Sequence, residues 1–408
     1  MPPSVLIVGG GFAGLTAARQ LGTSVEVTVV SDQNFLLFTP MLAEVASGDL
    51  DPRHIITPVR QLAPHARFIQ GEVTEVDIAA RGVSVLRPLG LAPVELKADA
   101  LLLTPGSVPA DFGIPGVSEN TLPFKTIGDA IRIRNRVLAL AEAATEIPDP
   151  SLTSVAVVGA GYSGAEVAAS LADFLTASWR KYFASASRPR VTIIDAIDRV
   201  TPALPPRSSR RAATALSRRG VEMVLGSRVA SVERGAVVLE SGARVEAATV
   251  VWSAGVKPHP MAASLGLPLD KGRLVVDHHL RAAPGIFAAG DFAISPRQTS
   301  APTAQMAIRQ GKYLGRSLPQ LLSGGRSPQF AYRSLGELVS LGHRNAVGLV
   351  MGVPVSGFIG WFAWRSYYLW KLPTLLRKAR VALDWTLDLI FPPDVAWLPS
   401  SDLGPTRD

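Results

Sequence analysis

The chain has no cysteine in its 408 residues. That excludes disulfides, thiolate nucleophiles, cysteine-ligated iron–sulfur clusters and zinc–thiolate sites, and it fits a reducing compartment. Histidine is also scarce: the six present are scattered without ligand spacing, so no designed metal site is expected. Zinc-finger spacing, RNP motifs and long Lys/Arg blocks are missing, which argues against a nucleic-acid partner. The N-terminus "MPPSVLIVGGG" enters a strand and a glycine loop at once, with no basic and apolar leader regions, so no secretory signal is expected.

The length favours two or three domains. Hydrophobic residues make up 47% of the chain, and mean hydropathy is +0.24, slightly oily for a soluble enzyme. A net charge of +8 and a pI near 10.0 suit an anionic surface, of which lipid is the remaining candidate.

Two glycine fingerprints stand about 150 residues apart. In "SVLIVGGGFAGLTAARQL", Gly9, Gly11 and Gly14 have GxGxxG spacing between an apolar β-rich run and an Ala-rich helical pattern, and the strand "VEVTVV" follows. This predicts a βαβ dinucleotide-binding unit. Gly9 permits a tight turn, Gly11 lets the backbone approach a pyrophosphate, and Gly14 lets helix and strand pack closely. The phosphates belong at the helix N-terminus, where unpaired N–H groups and the helix dipole favour anions. "SVAVVGAGYSGAEVAASLA" repeats the pattern with Gly159, Gly161 and Gly164, and the next strand, "RVTIIDA", ends at Asp195. A carboxylate there accepts both ribose hydroxyls of an adenosine and repels a 2′-phosphate, which points to NAD(H) over NADP(H). The interval from Gly164 to Asp195 exceeds the usual ~20 residues, and a helix extended into "DFLTASWRKYFASASRPR" accounts for it.

The first unit has Ser31 where a ribose-binding acid is expected, and Asp32 is one residue late, on the other side of the strand. Different ribose readers imply two different dinucleotides. "LLLTPGSVP" and "VVWSAGVKP" read as apolar strands ending in small-residue turns, and "APGIFAAGDF" as a strand running into Gly290-Asp291. A carboxylate at Asp291 can bond a flavin ribityl hydroxyl. The first domain is therefore expected to be discontinuous, 1–125 plus 260–325, with a second nucleotide domain at 126–259 and a C-terminal region at 326–408. The fold class is α/β, with two Rossmann-like domains.

Two such units in this order, with "TPG" and "AAGD", resemble the two-dinucleotide-binding-domain flavoproteins of the glutathione-reductase-like fold. The missing cysteines exclude its disulfide reductases and its sulfide:quinone reductases. "NFLLFTPML", "DPRHIITPVR", "GYSGAE", "PTAQMAIRQ" and "GWFAWRSYYL…DW" resemble the type II (non-proton-pumping) NADH dehydrogenases, most nearly the mitochondrial-type alternative enzymes. The resemblance implies FAD at Gly9, Gly11, Gly14, Ser31, Gly106, Gly290, Asp291 and Ala304. It implies NADH at Gly159, Gly161, Gly164 and Asp195. Glu166 matches a glutamate near nicotinamide and flavin, where it can orient a ribose or relay a proton; the plain alternative is an early-helix acid favoured by the dipole. Gln305 matches an amide that meets the quinone beside the flavin, and Arg365 and Tyr368 match residues beside the quinone channel. Arg365 can equally bind headgroups, and Tyr368 can be interfacial only. The mitochondrial-type motif has a histidine where this chain has Ile308, which leaves the proton route to quinone open.

Residues 357–391 hold nine aromatics, including four of the seven tryptophans, together with Arg365, Lys371, Arg377, Lys378 and Arg380. Phe358, Trp361, Phe362, Leu369 and Leu372 are expected on one stripe of a helix that Pro373 ends, and a second amphipathic helix is expected to about Ile390. "NAVGLVMGV" reads as a strand before a "PVSG" turn. An oily face with a basic rim predicts a monotopic anchor on the cytoplasmic face of the cell membrane; a dimerisation or core-covering helix pair, and a transmembrane span over the uncharged residues 346–364, are the competing readings. The expectation is a peripheral membrane flavoenzyme of the respiratory chain that passes hydride from NADH to FAD and electrons to a membrane quinone, with a homodimer as an open option. Alternatives are an NAD(P)H-dependent reductase of a ferredoxin- or rubredoxin-type carrier, or a flavoprotein with mainly a binding role.

Overall fold

Runs such as "SVLIV", "ALLL" and "SVAVV" lack the alternation of a half-exposed strand, as expected of parallel strands covered on both faces. The computed structural model describes residues 2–23, 25–295 and 303–398. Pro302 of the Gln305 motif, and residues 399–408 of the expected C-terminal region, lie outside the described residues. The described chain divides into two compact units. One comprises the residues up to Leu37 with Ile56–Val108 and Val256–Ser334; the other comprises Phe38–Ile55, Pro109–Gly255 and the residues from Leu335 onward. The boundaries expected at 125, 259 and 325 are found at 108, 255 and 334. The short Phe38–Ile55 excursion clusters with the second unit, which no local pattern announced.

In the first unit, strand Ser4–Val8 pairs in parallel with Glu26–Ser31 on one side (Val5 opposite Val27) and with Ala100–Leu103 on the other (Val5 opposite Ala100). Arg67–Gln70 and Ile286–Ala288 extend the sheet, and the antiparallel Arg281–Ala283 closes one edge. Helix Phe12–Leu21 follows the first strand and packs against helix Ala304–Leu322. The approach is close because Gly311 and Gly315 lie on the contact: a Cβ on Gly311 would stand 2.4 Å from Ala13 O, and one on Gly315 2.5 Å from Gln20 Cβ.

The second unit repeats the arrangement. Ser154–Val158 pairs in parallel with Arg190–Ile194 (Val155 opposite Val191) and with Thr249–Trp252 (Val155 opposite Thr249). Helix Tyr162–Tyr182 runs 21 residues, the extension expected from the long interval before Asp195. Helix Ile127–Ala143 begins at a capping box in which Thr126 and Asp129 each accept the other's backbone N–H. The excursion helix Leu42–Ser47 packs against both of these helices.

The C-terminal part of this unit is an antiparallel meander, Gly336–Ser340, Ala346–Val350 and Val353–Ser356, followed by helices Gly357–Lys371 and Leu375–Asp388. The break falls at Pro373 as expected, and Thr374 caps the second helix by accepting from Arg377 N. "PVSG" is not a turn: Met351 and Gly352, both at positive φ, make it, and the PVS segment continues as the third strand. The expected stripe also needs correction. Phe358 and Phe362 are exposed, but Trp361 and Leu372 are buried, because Gly360 seats the helix on the Ala346 carbonyl and turns that face inward. The tail then returns to helix Ile127–Ala143, where Arg134 donates to Asp394 O (2.8 Å) and Asn135 exchanges two hydrogen bonds with Leu398.

A Cβ at Gly14 or Gly164 would lie 2.2 Å or 1.8 Å from the carbonyl oxygen of Gly9 or Gly159. We expect Gly14→Ala and Gly164→Ala each to lower urea-unfolding stability by about 1–3 kcal/mol. Gly128→Ala, whose nearest neighbour is the Thr126 hydroxyl at 3.7 Å, should stabilise by about 0.5 kcal/mol.

Candidate functional site

The two glycine loops have the same internal division of labour. Gly9 has φ +105°, and a Cβ there would sit 2.2 Å from Thr104 O; Gly159 has φ +107°, and its Cβ would sit 2.4 Å from Ser253 O. These positions, with Gly14 and Gly164, exclude any side chain. Gly11 and Gly161 differ: each caps a helix N-terminus in extended conformation, and nothing lies within 4 Å of a Cβ built on it. The open space is where the backbone N–H groups and the helix dipole are available to an anion. Both central strands are flanked by neighbours on opposite sides, the topological switch point at which open α/β sheets bind ligands.

Around the first loop, Thr104 Oγ1 donates to Val8 O (2.9 Å) and Gly9 O (3.1 Å) and pins the turn. Ser31 is buried, and its Oγ would lie 2.8 Å from a Cβ on Gly10; Asp32 is exposed, as strand alternation required. Gly106 (φ +77°) has open space at its Cβ position. Asp291 accepts from Ser107 Oγ at 2.6 Å. Gly290 (φ +73°) donates its N–H to the buried Gln310 Oε1 at 2.7 Å. Ala304 and Gln305 open their helix, capped by Thr303, and Tyr332 donates to Gln305 Oε1 at 2.6 Å. That bond fixes the amide orientation and makes Nε2 the donor end. The first unit therefore brings Gly9, Gly11, Gly14, Ser31, Gly106, Gly290, Asp291, Ala304 and Gln305 to the carboxyl ends of its central strands. The residues suit FAD: a pyrophosphate cradle at Gly11, a hydroxyl instead of a carboxylate at the ribose position, and Asp291 beside a glycine turn.

In the second unit, Asp195 faces the second loop directly. Its Oδ2 accepts from Ala160 N at 2.5 Å and its Oδ1 from Ile197 N at 2.8 Å. Gly159, Gly161, Gly164 and Asp195 are thus one cluster, fit for an unphosphorylated ribose.

Glu166 lies two residues beyond Gly164 on the same helix and is partly buried. Its Oε1 accepts from Ser340 N at 3.1 Å. Burial pushes its carboxyl up to about 8, and the neighbouring Glu44 adds to this. The Trp364 indole N–H is near enough to oppose the rise, yet it meets no hydrogen-bond geometry. Glu44, on the excursion helix, is likewise pushed to about 8 by burial; Arg365 opposes the shift, and Trp385 Nε1 donates to Oε2 at 3.1 Å. Sequence reading missed Glu44, although an acid inside the apolar run "MLAEVA" was a signal. It also missed Gln310 and Tyr332, which hold the Gly290 turn and Gln305.

Arg365 and Tyr368 belong to the second unit and Gln305 to the first. Arg365 is buried, with its guanidinium carbon 4.2 Å from the Trp361 ring centroid and 4.6 Å from that of Trp385, and its Nη2 4.0 Å from Asp388 Oδ2. Arg377 is buried too and donates to Arg53 O at 2.6 Å. Neither lies on the exposed basic rim expected for both; the stacking indoles and a backbone carbonyl hold them in place of lipid headgroups. Tyr368 sits edge-on to Phe38 and Trp364, and burial raises its phenol. One ligand-type cluster is present that sequence spacing did not show: Asp49, His343 and Asp388 place their polar atoms within 4.8 Å of one another.

Known proteins were compared with this chain. The pyridine nucleotide-disulphide oxidoreductase family matches residues 3–311. A probable NADH dehydrogenase of Dictyostelium discoideum is 30% identical over 96% of this chain and 90% of its own length. The type II NADH:quinone oxidoreductase Ndh of Mycobacterium tuberculosis is 30% identical over 95% of this chain and 88% of its own. The structure of NDH2 from Plasmodium falciparum in complex with NADH superposes with a TM-score of 0.91 at 18% identity, covering 97% of this chain and all of that one, a likeness of fold.

The folded-state carboxyl of Glu166 binds its proton more tightly than the unfolded one, which titrates near 4.5. Folding stability from this group is therefore lost as pH rises from about 4.5 through about 8. Glu166→Gln removes that loss. We expect its Tm to match wild type at pH 4.5 and to exceed it by about 2 °C or more at pH 9 in thermal scans.

Proposed function

Since this chain belongs to the type II NADH:quinone oxidoreductases, within the pyridine nucleotide-disulphide oxidoreductase family, we propose that Gly161 and Asp195 hold NADH, that Gly11, Ser31, Gly106 and Asp291 hold FAD, and that Gln305 meets the quinone. FAD, when bound, supplies the two-electron chemistry that links NADH oxidation to quinone reduction. The chain's own residues supply placement and proton handling. The single observation that carries the reading is the pair of open middle glycines at two helix N-termini, with a carboxylate, Asp195, facing the second loop from a strand end and only a hydroxyl, Ser31, at the first.

Gln305 enters through its amide. With Oε1 held by Tyr332, Nε2 donates to a quinone carbonyl and needs no change of charge as electrons pass. The positive end of the Ala304–Leu322 helix favours negative charge developing beside it. Glu166, two residues past the second glycine loop and with its carboxyl raised to about 8 by burial, serves to orient the nicotinamide ribose or to hold a transferable proton.

The C-terminal helices serve as a monotopic anchor on the cytoplasmic face of the cell membrane. Supporting this, Phe358, Ile359, Phe362, Trp370, Leu375 and Leu376 are exposed, and Arg380 stands among them in solvent. Among the described residues no helix is long and apolar enough to cross a membrane. Each large side chain inserted contributes about 1.5–3 kcal/mol and each basic residue about 1 kcal/mol.

Three measurements follow from this reading. Anaerobic NADH should bleach the flavin of the purified protein, and a soluble quinone should restore it; a protein that no quinone reoxidises contradicts the reading. Gln305→Leu should lower quinone turnover about tenfold, the loss of one hydrogen bond of ~1.4 kcal/mol, and leave bleaching by NADH within twofold of wild type, a limit of about 0.4 kcal/mol. Asp195→Ser should cut the NADH-over-NADPH ratio of kcat/KM about tenfold or more, because the 2′-phosphate is no longer repelled.

A further inference from the structure

We propose that the exposed face of helix Pro206–Arg218 is a docking surface for an anionic lipid bilayer. The proposal rests on the reading that the C-terminal helices meet a membrane, and it adds a contact made by the second nucleotide-binding unit itself. Arg207, Arg210, Arg211 and Arg218 are all exposed. Their spacing, i, i+3, i+4 and i+11, sets them on one side of the helix, beside the exposed Thr214 and Ser217. Ser208, Ser209, Ala212, Ala215 and Leu216 form the opposite, buried side. The four arginines span about 16 Å along the axis, and the helix contains no acid.

Nothing inside the protein balances this charge. Among the described residues none of the four makes an ion pair or a side-chain hydrogen bond. Arg219, just beyond the helix, differs: it pairs with Asp173 at 3.1 Å and donates to His343 O at 2.7 Å. Arg207 falls in the first turn and Arg210 just past it, where the positive end of the helix dipole disfavours a cation, and no acid there offsets them. Arg207 also has like-charged neighbours at i+3 and i+4, an arrangement that weakens a helix. An anionic surface outside the protein relieves both strains.

The neighbourhood selects lipid over other polyanions. The helix packs against strands Ala346–Val350 and Val353–Ser356 of the C-terminal meander, and Arg219 ties its end to the loop before the first of these. Where those two strands meet, Met351 is 81% exposed and Val353 62%. The second strand leads directly into the helix that bears the exposed Phe358, Ile359 and Phe362. The arginine face is thus continuous with an apolar surface already read as membrane-facing. A bilayer serves both: its phosphates meet the guanidinium groups, and apolar side chains reach the acyl boundary. A nucleic acid or an acidic protein serves only the arginines. The net charge of +8 adds long-range attraction of the same sign.

The test uses the full-length, flavin-loaded protein in co-sedimentation with two kinds of vesicle: phosphatidylcholine alone, and phosphatidylcholine with about one-third phosphatidylglycerol. Wild type should bind the anionic vesicles about a hundredfold more tightly than the neutral ones, and the preference should shrink as salt is raised. Arg207→Gln, Arg210→Gln, Arg211→Gln and Arg218→Gln together should cut that preference about tenfold or more. Binding to neutral vesicles, bleaching by NADH and turnover with a soluble quinone should stay within about twofold of wild type. If the quadruple variant fails to fold, Arg210→Gln with Arg211→Gln takes its place, with an expected loss of about fivefold or more. Arg19→Gln with Arg67→Gln removes the same charge from exposed positions of the first unit and should change the preference less than about twofold. A quadruple variant that keeps the wild-type preference, or one whose KM for NADH rises instead, overturns the arginine face and leaves the C-terminal anchor standing. So does an Arg19 and Arg67 pair that loses as much as the Arg210 and Arg211 pair, or a wild type that binds duplex DNA more tightly than the anionic vesicles. A wild type that sediments with neither kind of vesicle overturns the anchor as well.

Discussion

A strand that ends at a glycine and feeds a helix leaves backbone N–H groups with nothing to bond. The rest of this protein depends on keeping that end open. Side chains are excluded at Gly9, Gly14, Gly159 and Gly164 by carbonyl oxygens less than 2.5 Å from any Cβ, while Gly11 and Gly161 face open space. The tight positions hold the helix N-terminus against the sheet, and the open position leaves it to a pyrophosphate. Because the geometry is the same twice, what separates the two sites is chemical: Asp195 at one and Ser31 at the other.

Around this frame the protein buries several ionisable side chains. Glu44, Arg365 and Arg377 are buried and Glu166 is partly buried, and only some have a charged partner close by. Isolated buried ions are too costly to persist, so such groups neutralise or find diffuse compensation. Glu44 and Glu166 do the first, their carboxyls raised to about 8. Arg365 does the second, stacked between Trp361 and Trp385 with Asp388 at 4.0 Å. The tryptophan-rich C-terminal helices thus have an inner face that encloses the titratable cluster and an outer face of exposed Phe, Ile and Leu.

Much of this was legible locally. The glycine loops, Asp195 at a strand end, the length of helix Tyr162–Tyr182, the Gln305 helix start and the break at Pro373 all follow from short-range pattern, because each depends on residues within one βαβ unit or one helix. What was not legible is tertiary. Trp361 and Leu372 share a helical stripe with Phe358, yet the stripe turns inward where Gly360 admits the Ala346 carbonyl. Arg365 reads as a rim cation until the indoles of two helices close over it. Phe38–Ile55 follows the first nucleotide-binding unit in sequence but clusters with the second, and so Glu44 meets Glu166 across a span no spacing rule links. Asp49, His343 and Asp388 come from three distant segments and carry no signature at all.

The central claim is that the two open glycines admit two different dinucleotides. Gly11→Val and Gly161→Val, each in the full chain, test it through flavin content per chain and calorimetric titration with NAD⁺. The account predicts that Gly11→Val purifies nearly free of flavin. It predicts that Gly161→Val keeps its full flavin and binds NAD⁺ about a hundredfold more weakly, a loss of ~2.8 kcal/mol. A folded Gly161→Val protein that binds NAD⁺ as tightly as wild type, or that loses its flavin instead, would contradict the account.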